Sequence, residues 1–402
     1  MNFATPFCAL LAAASVFGQE PVPPDEVETE ARWFQPQPAE TPLACEVRPL
    51  APVLTYRLAY RAGYMLTVSM EQFAGRTGPL EILVRITPKH SGAQPLLLKE
   101  VRAFPAGAGE QGRNASKYEA RLPGGFYVGE GEYRAELVLI EGLDRVCRKQ
   151  WDLELKPRNT VETPIPPGSL AAFSQLDWPH PGARAGSLTV LLHAGSARSN
   201  QVMLEALAAI LDRLPFSSAQ VVVFSLDQHK ELLRQNVADP AGFQRVEEVL
   251  REFNPSTVSY GVLKNPAGHR DFLWQLLAKE DLRAQPADAV LFVGYSTFDD
   301  AHVFAPPAAR KTIYAYFDFV PLSRRRSPMP GFARGRMRRL PGDDYSTNEP
   351  WKDLPEGSPM QPVLADAISR ITRACSGKVF NIRVPGDLAS ALQRTGELLP
   401  GH

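Results

Sequence analysis

The chain has 402 residues, of which 44% are hydrophobic and 22% are charged. This length allows two domains of about 100 to 200 residues each. Its 44 basic and 44 acidic residues balance to a formal net charge of +0 at pH 7, which excludes a general electrostatic attraction to nucleic acid or to an anionic membrane.

The amino terminus has the pattern of a secretory signal peptide. An apolar run extends from Phe7 to Phe17, and the small residue Gly18 follows it. The run is shorter than the roughly 20 residues that a membrane-spanning helix needs. We therefore predict a signal peptide over residues 1–18, a secreted or periplasmic mature chain, and no stable membrane insertion after cleavage. Residues 19–44 are rich in proline and acidic residues and are predicted to be an extended linker.

Residues 45–157 place apolar side chains at every second position. This period is typical of half-buried antiparallel strands, and several such runs separated by turn residues predict a β-sandwich. The alternating residues are Leu54, Tyr56, Leu58 and Tyr60; Tyr64, Leu66, Val68 and Met70; Leu80, Ile82, Val84 and Ile86; Tyr118, Ala120 and Leu122; Tyr133, Ala135, Leu137 and Leu139; and Trp151, Leu153 and Leu155.

The end of this region resembles the last hairpin of an immunoglobulin-like domain. The stretch LPGGFYVGEGEYRAELVLIEGLDRVCRKQWDLEL contains a glycine-marked corner, a tyrosine that enters a strand, a short turn and a final strand. The resemblance implies that Tyr133 acts as a corner tyrosine, whose hydroxyl bonds to the backbone a few residues upstream. It implies a binding or spacing role for the domain.

Three cysteines follow the predicted signal peptide. Cys45 and Cys147 bracket the β-rich region, so export to an oxidising compartment favours a disulfide between them and leaves Cys375 over. Three buried thiols remain the alternative. The sequence contains no CxxC or HxxxH spacing, so a structural zinc site is not predicted.

After a second proline-rich linker, residues 158–187, the pattern changes to strands that alternate with helices. Residues 188–399 are predicted to form a Rossmann-like, mostly parallel sheet with helices on both faces. The predicted strands are residues 188–192, 220–226, 289–293, 312–319 and 379–384. The predicted helices are residues 200–214, 240–253, 269–282, 363–374 and 385–399. The fold class is therefore multidomain, β plus α/β, and ligands are expected at the carboxyl ends of the parallel strands.

This second region resembles a von Willebrand factor type A domain of exported bacterial proteins, over about residues 187–399. The resemblance rests on the segments SLTVLLHAG, SNQVMLEALAAILDRLP, AQVVVFSLDQHKELLRQ, NPSTVSYG, HRDFLWQLLAKEDL and ADAVLFVGYSTFDD. The family's metal-ion-dependent adhesion site joins a DxSxS loop after the first strand to a Thr and to an Asp after the fourth strand. These oxygen ligands hold a divalent cation and leave one coordination position for a partner's carboxylate.

The adhesion motif is degenerate in this sequence. His193 stands where the first Asp belongs, Gly195 and Ala197 stand at the two Ser positions, and only a shifted register recovers Ser196 or Ser199. Thr257 lies at about the right distance for the Thr. Residues 294–297, which include Ser296 and Thr297, replace the usual Thr-Asp-Gly, and Asp299 and Asp300 follow slightly late. Because the anchoring carboxylate is missing, we predict no bound metal and no cofactor.

Other interpretations of the same loop remain open. A serine-centred hydrolase would use Ser196 or Ser199 with a histidine base, although the loop lacks GxSxG. Backbone amides of the small residues from Ala194 to Ala197 could bind an anion beside Arg198. The seven arginines of residues 324–339 could bind an anionic polymer or a membrane surface, or they could form a solvated insertion.

The sequence as a whole predicts an exported, non-enzymatic protein-protein interaction module. Its partner is expected to be an unidentified protein, and nucleic acid is not expected. The predicted binding surface lies at the strand ends and contains His193, Gly195, Ser196, Ser199, Thr257, Ser296, Thr297, Asp299 and Asp300. The alternatives, a hydrolase or a metal-dependent adhesion domain, would use the same crevice.

Overall fold

A computed structural model describes residues 19–73, 78–90, 92–102, 119–142, 144–156, 161–173, 186–214, 216–257, 259–265, 268–281, 283, 285–295, 312–319 and 366–399. The chain divides into two compact units, the first with two sheets of mainly antiparallel strands and the second with a mostly parallel sheet and helices. The predicted class of β plus α/β is thus present in general terms. The predicted signal peptide and the arginine-rich residues 324–339 lie outside the described residues.

The first sheet of the first unit has six strands in the order β1-β6-β5-β8-β9-β2. All of its neighbours are antiparallel except the short parallel pair of β2 and β9. The strands are β1 (Glu20–Pro21), β2 (Thr41–Pro42), β5 (Leu80–Pro88), β6 (Leu96–Arg102), β8 (Gly131–Glu141) and β9 (Arg145–Leu155).

The second sheet has four antiparallel strands in the order β10-β7-β4-β3. They are β3 (Glu46–Leu54), β4 (Tyr60–Ser69), β7 (Glu119–Val128) and β10 (Leu170–Ala171). Alternate residues of both sheets point inward and form one apolar core, which includes Tyr64, Phe126, Ile82 and Leu137. The two sheets therefore pack face to face, as the period of two in the sequence predicts.

Two contacts hold the corners of this unit. The Tyr133 hydroxyl donates to the carbonyl oxygen of Gly129 at 2.9 Å. A disulfide joins Cys45 to Cys147 across 102 residues of sequence, and Cys375 is a free thiol. The disulfide links the segment before β3 to β9, so it ties the beginning of the unit to its last long strand.

The structure differs from the sequence prediction between Leu54 and Tyr60. These residues alternate in polarity but form a tight turn between β3 and β4, in which the Leu58 amide donates to the Thr55 carbonyl at 3.0 Å. Leu58 has a left-handed φ of 60° and is nevertheless buried at 2% exposure. Burial of the turn, rather than an extended backbone, explains the apolar period there. The predicted run at Tyr118 lies partly outside the described residues.

The segment predicted as an extended linker, residues 19–44, differs as well. β1 pairs with β6 and β2 pairs with β9, with helix α1 (Val27–Ala31) and a 3-10 helix (Arg32–Phe34) between them. Glu30 of α1 forms an ion pair with Lys99 of β6 at 2.6 Å. Because its apolar and charged side chains find partners on the sheet, this segment is part of the first unit.

The second unit is built on a six-stranded sheet in the order β13-β12-β11-β14-β15-β16. Only the edge strand β13 is antiparallel to its neighbour. The strands are β11 (Ser187–His193), β12 (Ser218–Ser225), β13 (Lys230–Asn236), β14 (Ala289–Tyr295), β15 (Ile313–Phe319) and β16 (Lys378–Ile382). The central strands are buried along nearly their whole length, as the continuous apolar runs predict.

Six helices of this unit lie in the described part of the chain: α2 (Ala197–Arg213), α3 (Pro240–Glu252), α4 (Tyr260–Lys264), α5 (Gly268–Asp281), α6 (Ala367–Ala374) and α7 (Pro385–Gly396). Their positions agree with the predicted helices within a few residues, except that α4 and strand β13 were not predicted. Residues 363–365 of the predicted fourth helix lie outside the described residues. No helix within the described ranges is long and apolar enough to cross a membrane.

The disulfide yields the first testable prediction. Replacing Cys45 and Cys147 together by Ala should lower the free energy of unfolding of the first unit by about 2 to 5 kcal/mol, because the unfolded chain loses a cross-link that closes a long loop. Calorimetry of the full chain measures the shift. Cys375→Ala is the matched control and should leave the transition in place, and alkylation of Cys45 or Cys147 in the denatured, unreduced chain would contradict the bond.

Candidate functional site

The candidate site lies where the strand order of the parallel sheet reverses. β11 has β12 on one side and β14 on the other, so the connections that leave these strands run to opposite sides. A crevice at the carboxyl ends of such strands is the usual ligand position in open α/β sheets. His193 ends β11 and Tyr295 ends β14, which places both residues at this edge.

His193 is fixed by the backbone around it. Its Nε2 accepts a hydrogen bond from the Leu226 amide at 3.4 Å, and its ring stacks on Phe224 with centroids 5.3 Å apart. Burial lowers the pKa of His193, against the opposing effects of Asp227, of a hydrogen bond to the Tyr295 backbone, and of Asp366. The ring is therefore neutral near pH 7, with an accepting Nε2 and a hydrogen on Nδ1.

A glycine on the neighbouring strand makes room for this histidine. A Cβ at position 294 would lie 2.7 Å from the Cβ of His193, which is closer than two side-chain carbons can approach. Gly294 thus belongs to the packing of the site. From the sequence, Gly294 is interpreted only as a replacement for a ligand residue of the adhesion motif.

Ser196 caps helix α2, and Ser199 lies in the first turn of the helix. The Ser196 hydroxyl accepts from the Ser199 amide at 3.3 Å, and the two hydroxyls are 2.8 Å apart. The Ser199 hydroxyl also hydrogen-bonds the Tyr295 hydroxyl, whose pKa is raised by burial. The chain of hydroxyls from Ser196 through Ser199 to Tyr295 satisfies the helix start and joins the ends of β11 and β14.

Asn200 locks the loop onto a neighbouring helix. Its Oδ1 accepts from the Gly195 amide at 2.8 Å, and its Nδ2 donates to the Leu250 carbonyl at 2.8 Å. The side chain is buried at 2% exposure, and both halves of the amide are used. This contact is not predictable from local sequence pattern, because the Leu250 carbonyl lies 50 residues away in the chain.

The turn between β12 and β13 joins the same network. Gln228 donates through Nε2 to the Asn254 carbonyl at 2.9 Å. Thr257, the predicted counterpart of the adhesion-site Thr, is exposed, and its amide donates to the same Asn254 carbonyl at 3.2 Å. The rings of His229 and His269 lie next to this turn, with centroids 6.2 Å apart. The loops at this edge therefore hold one another through hydrogen bonds.

A buried acidic cluster lies beside β15 and was not predicted. The Tyr316 hydroxyl is 3.3 Å from Asp318 Oδ1 and 3.2 Å from Asp366 Oδ2. Asp366 caps α6 by accepting from the Ser369 amide at 2.7 Å. Burial and both carboxylates raise the pKa of Tyr316. Within the described ranges, no group of three or more His, Cys, Asp or Glu side chains is placed to hold a metal ion.

Helix α4 presents two large apolar side chains to solvent. Tyr260 is 70% exposed and Leu263 is 67% exposed, and Ser259 caps the helix by accepting from the Val262 amide. The helix lies between Asn254, which bonds the β12–β13 turn, and Gly268, whose added Cβ would meet His229 at 2.8 Å. It therefore belongs to the edge that carries His193 and Thr257.

The described geometry gives the site residues structural roles. Ser196 caps α2, and Ser199 lies in its first turn. His193 uses both ring nitrogens for backbone contacts, so the imidazole is not directed at either hydroxyl as a general base would be. Asn200 links the loop that contains Gly195 to Leu250 of α3, and Thr257 donates to the Asn254 carbonyl just after this helix. The other predicted residues, Ser296, Thr297, Asp299 and Asp300, lie outside the described residues.

Comparison with models of known protein families finds no match for the chain. Comparison with curated proteins finds no match either. The function therefore has to follow from the chemistry of the chain's own residues.

The lowered pKa of the half-buried His193 predicts a pH dependence of stability. Because its folded pKa is lowered, the unfolded chain takes up a proton more readily once the pH falls below the ordinary value of about 6.5. The contribution of the histidine to the free energy of unfolding is then fully present above this pH. It is lost below it, by at most about 1.4 kcal/mol per pH unit for each such histidine. His193→Gln, which can still accept from Leu226, should flatten the dependence in thermal unfolding between pH 7.5 and 5.5.

The dependence should not vanish in this variant, because burial also lowers the pKa of His229, as does the neighbouring His269. His90→Gln is the matched control, since His90 is exposed in the first unit. A variant with an unchanged slope at position 193, or an equal effect at position 90, would contradict a His193 that is neutral in the folded chain.

Proposed function

We propose that the chain is an exported, non-enzymatic protein-protein interaction module. In this proposal an immunoglobulin-like β-sandwich precedes a von Willebrand factor type A-like domain with a degenerate metal site. The partner protein binds the strand-end edge that carries His193, Ser196, Thr257 and helix α4.

The observation that carries the proposal is the exposure of Tyr260 and Leu263. Large apolar side chains that project from a surface helix cost hydration free energy unless a partner covers them, and aromatic residues are enriched among the residues that dominate protein interfaces. The Lys264 ammonium lies 4.6 Å from the centre of the Tyr260 ring, which orients the ring without burying it. This helix adjoins Thr257, one of the residues predicted to bind.

The hydrogen-bonded edge supports binding over catalysis. A hydrolase needs a nucleophile within reach of a free base, whereas the hydroxyls of Ser196 and Ser199 bond each other and the start of α2. An adhesion metal needs a carboxylate at the end of the first strand, where this chain has His193. The imidazole occupies that position as a neutral, backbone-bonded group.

The fold supports the family resemblance without establishing it. The sheet order, numbered within the second unit, is 3-2-1-4-5-6, and the crevice of such a sheet lies between the first and fourth strands. In the first unit, Tyr133 has the contact of a corner tyrosine. A disulfide between Cys45 and Cys147 suits an oxidising compartment, which is compatible with export.

The binding proposal is tested by photo-crosslinking followed by affinity measurement. A photoreactive residue at Leu263 of the full chain, expressed in its own host, should become covalently linked to a specific protein. With that partner purified, the double variant Tyr260→Ser and Leu263→Ser should raise the dissociation constant at least about tenfold, because truncation of interface anchors typically costs 1 to 2 kcal/mol or more.

Val101→Ser is the matched control, since Val101 is an equally apolar residue that is 56% exposed in the first unit. It should leave the affinity unchanged. An equal loss of affinity in both variants would contradict α4 as the binding site. Hydrolytic activity that disappears in Ser196→Ala or Ser199→Ala would overturn the non-enzymatic proposal.

Calorimetry distinguishes the proposed metal-free module from the metal-dependent adhesion alternative. Titration of the full chain with Mg²⁺, Mn²⁺ or Ca²⁺ should give no binding heat and no thermal shift, because a hard cation needs carboxylate ligands that the loop after β11 does not supply. Thr257→Ala should behave in the same way as the unmodified chain. Micromolar binding that is lost in this variant would restore the metal-dependent adhesion hypothesis.

A further inference from the structure

Gln19, the first residue of the described chain, is inserted into the first unit. Its Nε2 donates to the Tyr64 hydroxyl at 2.5 Å, and its Oε1 accepts from the Gly125 amide at 3.0 Å. Only 3% of the residue is exposed. Both ends of the side-chain amide are therefore used, and a polar residue at the end of a short edge strand is held as firmly as a core residue.

A buried carboxylate lies opposite Gln19. The register of β1 and β6 pairs Glu20 with Lys99 and Pro21 with Leu98, so one step back places Gln19 opposite Glu100. Directly opposed residues in antiparallel strands have their side chains on the same face of the sheet. Glu100 is 4% exposed, and its Oε1 is 2.5 Å from an Arg102 guanidinium nitrogen.

Among the residues that the structure describes, the second carboxylate oxygen of Glu100 has no hydrogen-bond partner. Oε2 is buried without a hydrogen bond, and so is Nε of Arg102. A buried carboxylate oxygen that is left unsatisfied is costly, because it has lost water and gained nothing in exchange. Burial raises the pKa of Glu100, against the effect of Arg102. This position therefore favours an additional hydrogen-bond donor, and a cationic donor most strongly.

Tyr64 joins the glutamate to Gln19. Burial and the charge of Glu100 both raise the pKa of the Tyr64 hydroxyl, whereas the hydrogen bond from Gln19 acts in the opposite sense. The neighbouring backbone is shaped for this ring, because a Cβ at Gly124 would lie 2.3 Å from the tyrosine hydroxyl. Gln19 and Tyr64 are thus joined by a hydrogen bond, and Glu100 and Arg102 by an ion pair, in one group of polar side chains that draws on both sheets.

We propose that cleavage of the peptide bond between Gly18 and Gln19 creates an α-ammonium group that pairs with Oε2 of Glu100. The step rests on the proposed export of the chain and is a hydrolysis by a signal peptidase. Water adds across the bond, its hydroxyl forms the carboxyl group of Gly18, and the nitrogen of Gln19 becomes an amine that is protonated at neutral pH. The new terminus supplies the donor that the unpaired oxygen lacks, and processing stabilises the first unit.

An amino-terminal glutamine can also cyclise. The α-amine then attacks Cδ of its own side chain and expels ammonia, which leaves a neutral lactam in place of the cation. In this structure the side-chain amide bonds Tyr64 and Gly125, and these contacts oppose the conformation that the attack requires. The α-ammonium form is therefore the form that the cluster retains.

The test combines cleavage before Gln19 with removal of the Glu100 charge. The full mature chain that begins at Gln19 is compared with a chain that retains Gly18 before it, each with Glu100 and with Glu100→Gln. The free terminus at Gln19 should increase the equilibrium constant for folding of the first unit by about tenfold or more when Glu100 is present. The difference between the two chain starts should disappear in Glu100→Gln.

Glu20→Gln serves as the matched control, because Glu20 is exposed one residue further along the chain. It should leave the effect of processing unchanged. If Glu100→Gln does not fold, acylation of the α-amine provides a second readout. The amine of Gln19 should react more slowly in the folded chain than the amine of the chain that retains Gly18.

Mass spectrometry of the secreted protein tests whether cleavage occurs between Gly18 and Gln19. A mass that begins at Gln19 with no loss of ammonia is the expected result. A different mature terminus, a cyclised Gln19, or an equal effect of processing with and without the Glu100 carboxylate would overturn the proposal. None of these outcomes affects the binding experiment on Tyr260 and Leu263, so the two proposals can fail separately.

Discussion

Backbone hydrogen bonding at the carboxyl end of β11 is the constraint on which the candidate site depends. A central parallel strand is buried on both faces, so the amides and carbonyls of the loop that leaves it need partners within the protein. Asn200 accepts from the Gly195 amide, Ser196 accepts from the Ser199 amide, and His193 accepts from the Leu226 amide. Neutral side chains therefore organise this loop.

The sequence predicts the fold better than the candidate site. Strands and helices follow from local patterns, whereas the contacts of the site join residues that are far apart in the chain. The buried runs of β11 and β14 and the apolar stripe of α2 are local patterns, and the structure places these elements within a few residues of the prediction. Strand β13 is half-buried along most of its length, and α4 has only five residues and no buried side chain, so neither produces a clear period. Leu58 shows the opposite error, since its apolar alternation comes from a buried turn.

The contacts that define both sites depend on register, which one sequence does not contain. Asn200 bonds a carbonyl 50 residues away, and Tyr295 meets Ser199 only because β11 and β14 are neighbours. The same holds for Glu100, whose position opposite Gln19 follows from the pairing of β1 with β6. A glutamine at the start of a proline-rich segment gives no signal of burial. Glu100, which faces it, likewise has the sequence pattern of an ordinary charged strand residue.

The rigidity of the strand-end edge bears on how it can bind a partner. Association costs conformational entropy for every loop and side chain that becomes ordered, and a surface that is already ordered avoids much of that cost. The link from Asn200 to Leu250 and the link from Gln228 to Asn254 fix the loops on either side of α3 before any partner arrives. Lys264 restricts the Tyr260 ring in the same way, at 4.6 Å from its centre. The links at Asn200 and Gln228 use only backbone and neutral amide groups. In the proposed binding, Tyr260 and Leu263 supply the apolar area that drives association.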